Sequence, residues 1–228
     1  MAAQCRAGID AEYAMHQSSW RWLPSAALPD SGPHPVHYWK PSLPMPPLPL
    51  LETPRTVLTV LHPDNADLLH AYQQENKRHL APWEPERDSQ FHGAEACHAR
   101  AALAYRAFLD GHAVNFIAID KAAKTMVAGC NFTNIVRGPL QACNLGYSIA
   151  REYEGRGLMQ EVAAAGIRHV FEVVRLHRIM ANHMPANVRS ERLLGRLGFE
   201  REGYARAYLK IAGKWEDMVL NALINPQG

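Results

Sequence analysis

The stretch that decides the fold reads Leu145-Gly-Tyr-Ser-Ile-Ala-Arg-Glu-Tyr-Glu-Gly-Arg-Gly-Leu-Met159. Its start, Leu145 to Ala150, predicts a strand, and a helix is predicted to begin at Leu158 after the turn Glu154-Gly-Arg-Gly157. Glycines let a backbone approach a phosphate closely, and the first turn of a helix offers unpaired N–H groups and a positive dipole end. The turn therefore predicts a site for a diphosphate, unless the glycines serve only a tight turn. The dinucleotide-binding motif G-x-G-x-x-G and the P-loop motif G-x-x-x-x-G-K-[ST] are both absent, which argues against a Rossmann or P-loop nucleotide site.

The surrounding sequence predicts a mixed α/β domain, because short apolar runs alternate with amphipathic stretches from Thr53 onward. After Gly157, apolar residues follow a one-sided helical stripe as far as Val174, which predicts a long helix packed on the core. Further helices are predicted over residues 64–79, 94–109 and 188–197. Strands are predicted over residues 55–61, 113–120, 126–136, 145–150, 178–184, 200–209 and 217–224.

The N-terminal segment differs in composition from the rest of the chain. Ten of the sixteen prolines lie between Pro24 and Pro54. Proline-rich sequence favours extended conformations and does not build a packed core. We therefore expect a disordered extension over residues 1–50, without an assigned function, and a folded domain over residues 51–228.

Composition and charge limit the functional classes. The chain has 228 residues, and 24 Lys and Arg against 22 Asp and Glu give a formal net charge of +2. So small a charge does not supply the many phosphate contacts on which nucleic-acid affinity rests, and we expect no direct nucleic-acid partner. No apolar run approaches the roughly 18 residues of a membrane span, so we expect no membrane association.

Cysteine and histidine usage favours a metal-free protein in a reducing compartment. The four cysteines stand singly, and residues 1–20 lack the apolar stretch of a secretory signal, so we expect a cytoplasmic location. The twelve histidines include no H-E-x-x-H pattern and have no clustered carboxylates, so we expect no metal site. The sequence leaves the oligomeric state open.

A second informative segment is the predicted short helix that follows Asn187. Ser190 shares one helical face with Leu193, Leu194 and Leu197, so its hydroxyl points inward and needs a partner or a ligand. Two simpler roles are also open. Ser190 could bond back to its own helix, and Asn187 could serve only as the N-cap.

Several segments together resemble the GNAT superfamily of acetyl-CoA-dependent N-acetyltransferases. They are Tyr153-Glu-Gly-Arg-Gly-Leu-Met159, the run Asn187 to Phe199, and Glu202-Gly-Tyr204. Pro82-Trp-Glu-Pro85 and the run Asn131 to Gly138 are similar to the branch that acetylates N-terminal alanine of ribosomal proteins. The resemblance implies a central, bent mixed β-sheet, flanked by helices, whose middle strands splay apart to admit the pantetheine arm of coenzyme A.

The resemblance also implies an acetyl-CoA site. Its backbone amides would hold the diphosphate, and Glu154 and Met159 depart from the family pattern there, which leaves the role of Glu154 open. Arg156, Arg189 or Arg192 could add positive charge. The residues implied to contact the coenzyme are Ser148, Ile149, Gly155, Arg156, Gly157, Leu158, Met159, Asn187 and Ser190.

Catalytic residues carry over only in part. Leu194 stands where many members have a tyrosine acid, so the resemblance makes Ser190 the candidate that protonates the departing thiolate, with Tyr204 as a second choice. An α-amine has a pKa of about 7.7–8.0 and hardly needs a strong base. Glu84, beside Trp83, is the hypothetical carboxylate of the acceptor site; its alternative role is a cap or salt bridge in a rigid turn.

The resemblance implies transfer of an acetyl group to the α-amine of a protein N-terminus, most specifically the N-terminal alanine of a small-subunit ribosomal protein. One alternative is an acetyltransferase of a small-molecule amine such as a polyamine. Another is a non-catalytic acyl-CoA-binding module.

Overall fold

The computed structural model describes residues 48–227. Most of the predicted N-terminal extension, residues 1–47, lies outside the described residues. Within the described part, the chain forms one sheet of eight strands and four α-helices. No helix there is long and apolar enough to cross a bilayer.

The predicted helices and strands are present, with ends close to those expected from the sequence. The one additional strand is the short first one, which begins within the proline-rich segment and had no periodicity to reveal it. The strands are β1 (Leu50–Glu52), β2 (Thr56–Val60), β3 (Val114–Asp120), β4 (Met126–Val136), β5 (Ala142–Ile149), β6 (Arg178–His183), β7 (Glu200–Ile211) and β8 (Lys214–Ile224). The α-helices are α1 (Ala66–Leu80), α2 (Ala94–Leu109), α3 (Leu158–Glu172) and α4 (Val188–Arg196).

The sheet is mixed and parts in its middle, as predicted. The strand order is β1-β2-β3-β4-β5-β6-β8-β7, and β5–β6 is the parallel pair, while the other described pairs are antiparallel. The β5–β6 pairing runs only from Ala142↔Arg178 to Asn144↔Met180. β5 continues to Ile149 along β4 without pairing to β6, so a gap opens between the two central strands.

Helices cover both faces of the sheet because alternate strand residues point to opposite sides. Neighbouring residues on β3 show this: Phe116 belongs to a core that includes Leu158 and Val162 of α3. Ile117 belongs to a second core that includes Leu69 of α1. The two helix layers therefore approach the central gap from opposite faces.

Candidate active site

The glycine-rich loop before α3 has the backbone geometry expected of an anion site. Gly155 and Gly157 have left-handed φ angles of 71° and 73°, a region that favours glycine because other residues carry a Cβ. Gly157 is the N-cap of α3, and within residues 48–227 no side chain caps this helix end. The side chains of Leu158 and Met159 are buried in the core, so they leave the backbone amides of the first helical turn uncovered at the helix N-terminus. The side chain of Arg156 is exposed.

Ser190 faces β5 rather than its own helix. Its hydroxyl and that of Tyr147 are 2.5 Å apart, and the hydrogen bond can run in either direction. The side chain of Asn187 accepts a hydrogen bond from the Ser190 N–H at 3.0 Å, so Asn187 fulfils the expected N-cap role. Burial raises the pKa of Tyr147 to about 12, although the hydrogen bond to Ser190 acts in the opposite direction.

Tyr147 is a candidate residue that the sequence analysis did not identify. The signal was available, because Tyr147 lies in the decisive strand itself. Sequence could not tell which face of β5 the side chain would take, nor that α4 would lie against that face. The contact joins positions 43 residues apart.

A cavity of about 230 Å³ lies on the other face of β5, next to α1 and α2. Its lining includes Glu84, Arg100, Tyr72, Ser148 and Asn131. The Tyr72 hydroxyl donates to Ser148 Oγ at 2.9 Å. Burial raises the pKa of the Glu84 carboxyl, and the nearby arginines, Arg100 among them, partly oppose that shift. The cavity therefore combines a partly desolvated carboxyl group with the guanidinium of Arg100 and with neutral hydrogen-bonding groups.

Consecutive residues of β5 lie beside both the Tyr147–Ser190 contact and the Glu84 cavity. Tyr147 contacts Ser190 on one face, and Ser148 lines the Glu84 cavity on the other. Ile149 packs against the core that α3 covers. All three residues follow the point at which β5 leaves β6, so Ser190 and the Glu84 cavity lie on opposite faces of the part of β5 that does not pair with β6.

The loop that carries Glu84 is held by the β7–β8 hairpin. The Ala212 N–H donates to the Glu84 carbonyl at 2.9 Å. Ala212 and Gly213 both have positive φ angles, as a tight two-residue turn requires. Trp83, the predicted substrate-binding neighbour, is 42% exposed and does not line the Glu84 cavity.

The carboxylate of Glu154 contacts two side chains, Arg189 and His79, at the edge of the glycine loop. Its carboxylate accepts from Arg189 of α4, and His79 Nε2 lies 3.5 Å from the other oxygen. Arg189 is thus engaged by a carboxylate beside the loop, which differs from the expectation that it could simply add positive charge there.

Tyr204 lies apart from the contacts described so far. Its hydroxyl donates to Asp217 Oδ2 on the neighbouring strand β8 at 2.6 Å, and the residue is 49% exposed. The structure brings Ser190 into contact with Tyr147 and places Glu84 and Ser148 in the lining of one cavity, but it shows no contact of Tyr204 with any of these four residues. In the described range 48–227, no group of three or more potential metal ligands is assembled.

Comparison with known proteins agrees with this geometry. The sequence profile of the acetyltransferase (GNAT) domain matches residues 55–200. The chain belongs to the GNAT acetyltransferases. This GNAT chain is 44% identical over 176 residues to the [ribosomal protein uS5]-alanine N-acetyltransferase of Escherichia coli, covering 77% of this chain and 91% of the relative.

Two solved structures extend the comparison. Ribosomal-protein-S5-alanine acetyltransferase from Vibrio fischeri superposes with a TM-score of 0.76 at 34% identity, covering 78% of this chain and 97% of that one. Mycobacterium smegmatis RimJ, solved in complex with CoA-disulfide, gives a TM-score of 0.72 at 26% identity and covers 79% and 88% of the two chains. The parted strands and the uncapped first turn of α3 in this chain fit a coenzyme A site.

Proposed function

We propose that the protein transfers the acetyl group of acetyl-CoA to the N-terminal α-amine of a protein, specifically the N-terminal alanine of a small-subunit ribosomal protein. The observation that carries the proposal is the gap between β5 and β6, beside a glycine loop whose helix end has no side-chain cap. Membership of the acetyltransferase family supports the reaction class. The 44% identity to a uS5-alanine N-acetyltransferase across 91% of that relative supports the acceptor.

The coenzyme would be held mainly by backbone groups. The amides of residues 155–159 meet the diphosphate, because a helix N-terminus favours an anion. The remaining coenzyme contacts would come from Ser148 and Ile149, which follow the last β5 residue paired to β6, and from Ser190. Asn187 acts through its N-cap, which fixes the start of α4 and thereby the position of Ser190.

In the proposed reaction, the neutral amine nitrogen attacks the thioester carbonyl carbon. The C–N bond forms, the C–S bond breaks, the nitrogen loses a proton, and the sulfur gains one. The Tyr147–Ser190 pair supplies the proton to sulfur, with Ser190 as the donor and Tyr147 as its hydrogen-bond partner. On the opposite face, Glu84 orients the amine and accepts the proton that the nitrogen loses, since its raised pKa makes it a better proton acceptor than an ordinary glutamate. Ser190 regains its proton by exchange with solvent after the thiol leaves.

The acceptor chemistry favours an α-amine over a lysine side chain. At pH 7.2 about a fifth of an α-amine with pKa 7.7–8.0 is neutral, against less than about 0.1% of a lysine amine. A single half-buried carboxyl group is therefore sufficient as the base for an α-amine acceptor. We further propose that the reaction takes place in the cytoplasm. The catalytic domain would comprise residues 51–228 together with Leu50, which begins β1.

The test is mass spectrometry after incubation of the full chain with acetyl-CoA and peptides that begin with Ala, Ser or Met. We expect one acetyl group on the N-terminal nitrogen of the Ala peptide. The Ala peptide contains an internal lysine, and the control is the same peptide with its N-terminus already acetylated. This control peptide should gain no mass, because its remaining amine is the lysine side chain.

Two results would contradict the proposal. Acetylation of a polyamine such as spermidine, with no peptide product, would indicate a small-molecule acetyltransferase. Binding of acetyl-CoA without any acetylated product would indicate a non-catalytic coenzyme-binding module.

A further inference from the structure

We propose that Arg55 is a positioning residue of the coenzyme site, which rests on the proposed binding of acetyl-CoA at the loop before α3. Arg55 stands in the turn between β1 and β2, far from that loop in sequence. Its guanidinium reaches both the loop and the first turn of α3. Nη1 donates to the Arg156 carbonyl at 3.0 Å, and Nε and Nη2 lie 2.9 and 2.8 Å from Glu161 Oε2.

The contact with the Arg156 carbonyl fixes the direction of an amide in the loop. No peptide bond in the described chain is cis. In a trans peptide the carbonyl of Arg156 and the N–H of Gly157 point in opposite directions. Because Arg55 holds the carbonyl, the Gly157 N–H is turned away from the β1–β2 turn. Arg55 thereby orients one of the backbone donors expected to meet the diphosphate.

The contact with Glu161 offsets a charge that would oppose an anion. Glu161 lies in the first turn of α3, where its side chain is only 17% exposed. Burial alone would raise the pKa of Glu161, but hydrogen bonds from Thr53 and Arg55, and the charge of Arg55, hold it below its ordinary value. The carboxylate is therefore ionised near the place where the diphosphate would bind. Arg55 pairs with it through Nε, Nη2 and, at 2.9 Å, its backbone N–H.

Two independent consequences follow for coenzyme binding. Loss of the Arg55 side chain frees the Arg156–Gly157 peptide and leaves the Glu161 charge unopposed. Both effects weaken binding of a diphosphate, and neither acts on a thioester that lacks one. Loss of the Glu161 charge alone should strengthen binding of a diphosphate, because it leaves Arg55 as an uncompensated cation beside the helix N-terminus.

The experiment compares R55A, R55K, E161Q and the double variant R55A/E161Q in the full chain. Isothermal titration with CoA gives Kd. Steady-state kinetics with acetyl-CoA and with S-acetylpantetheine, which has no diphosphate, separates the coenzyme's phosphate end from the chemistry. The matched control is R106A, which removes an arginine paired with Asp110 on the exposed end of α2.

We expect R55A to raise Kd for CoA about tenfold, the value of one charge-assisted hydrogen bond. R55K should fall between R55A and the wild type, because it keeps the charge but lacks the planar guanidinium that reaches both Glu161 and the Arg156 carbonyl. R55A/E161Q should recover part of the loss, and E161Q alone should tighten binding about two- to fivefold. For R55A, kcat/KM should fall with acetyl-CoA and stay unchanged with S-acetylpantetheine. R106A should change neither.

Unchanged CoA affinity in R55A, or an equal fall of kcat/KM with both thioesters, would overturn the inference. Weaker CoA binding by E161Q would also overturn it, and this variant keeps the test decisive if R55A folds poorly. Failure of the wild-type protein to bind CoA would overturn the proposed function and this inference with it. Wild-type binding with an unaffected R55A variant overturns the inference alone.

Discussion

Replacement of Gly166 by alanine should destabilise the protein, although alanine is the better helix former. Gly166 lies within α3, where the helix crosses β4. A Cβ added there would lie 2.8 Å from Phe132 Cε2, 3.1 Å from Phe132 Cζ and 3.2 Å from Cys130 Sγ. Both neighbours are fully buried, so neither can move aside into solvent. The close approach of α3 to the sheet therefore depends on glycine at this position.

The magnitude follows from two opposing contributions. Alanine is favoured over glycine inside a helix by about 0.8–1 kcal/mol. Overpacking a filled core costs about 1–3 kcal/mol, and a contact of 2.8 Å to a buried ring belongs in the upper part of that range. We therefore expect Gly166→Ala to lower the free energy of unfolding by about 1–2 kcal/mol.

Gly195→Ala is the matched control. Gly195 lies in α4, and a Cβ added there would meet no heavy atom within 4 Å. Only the helix preference remains, so this variant should raise the free energy of unfolding by about 0.5–1 kcal/mol. Urea unfolding of the full chain, followed by circular dichroism, measures both values. A Gly166→Ala variant as stable as the wild type, or a shift of both variants in the same direction, would refute the packing argument.

Three further predictions concern the reaction and pH. Ser190→Ala should lower kcat about 100-fold or more with little change in CoA affinity. Adding Tyr147→Phe should lower kcat little further, because the two hydroxyls act as one pair. An unchanged kcat in Ser190→Ala would exclude the proton-donor role. Glu84→Gln should lower kcat/KM for an Ala peptide about tenfold or more, and Glu86→Gln on the same loop should not; full activity of Glu84→Gln would remove its acceptor role. Burial lowers the pKa of His169 from its ordinary 6.5, so the unfolded chain binds a proton more readily. His169 therefore contributes stability that is present above pH 6.5 and is lost as the pH falls below it. His169→Gln should flatten that fall in urea titrations between about pH 7 and pH 5, and an unchanged pH dependence would contradict the assignment.

The sequence by itself determined the local structure, and its resemblance to the GNAT superfamily implied the reaction class. Periodicity predicts α2 over residues 94–109 and β4 over residues 126–136, and the structure confirms both ranges. The glycine loop before Leu158 predicts a helix N-terminus able to receive an anion. These features depend on neighbouring residues, on one-sided apolar faces and on the freedom of glycine to adopt positive φ, all of which can be read from a short window of sequence.

Only the tertiary structure decided which distant groups meet. Tyr147 and Ser190 are 43 residues apart, and Arg55 and Glu161 are 106 apart. No local periodicity encodes such contacts, because they depend on where β5 leaves β6 and on which helix covers each face. The sequence therefore suggested Ser190 as a proton donor without its partner, and it carried no sign that Arg55 contacts the glycine loop before α3. Strand pairing and helix packing over the whole sheet set those distances, and they arise only once the chain has folded.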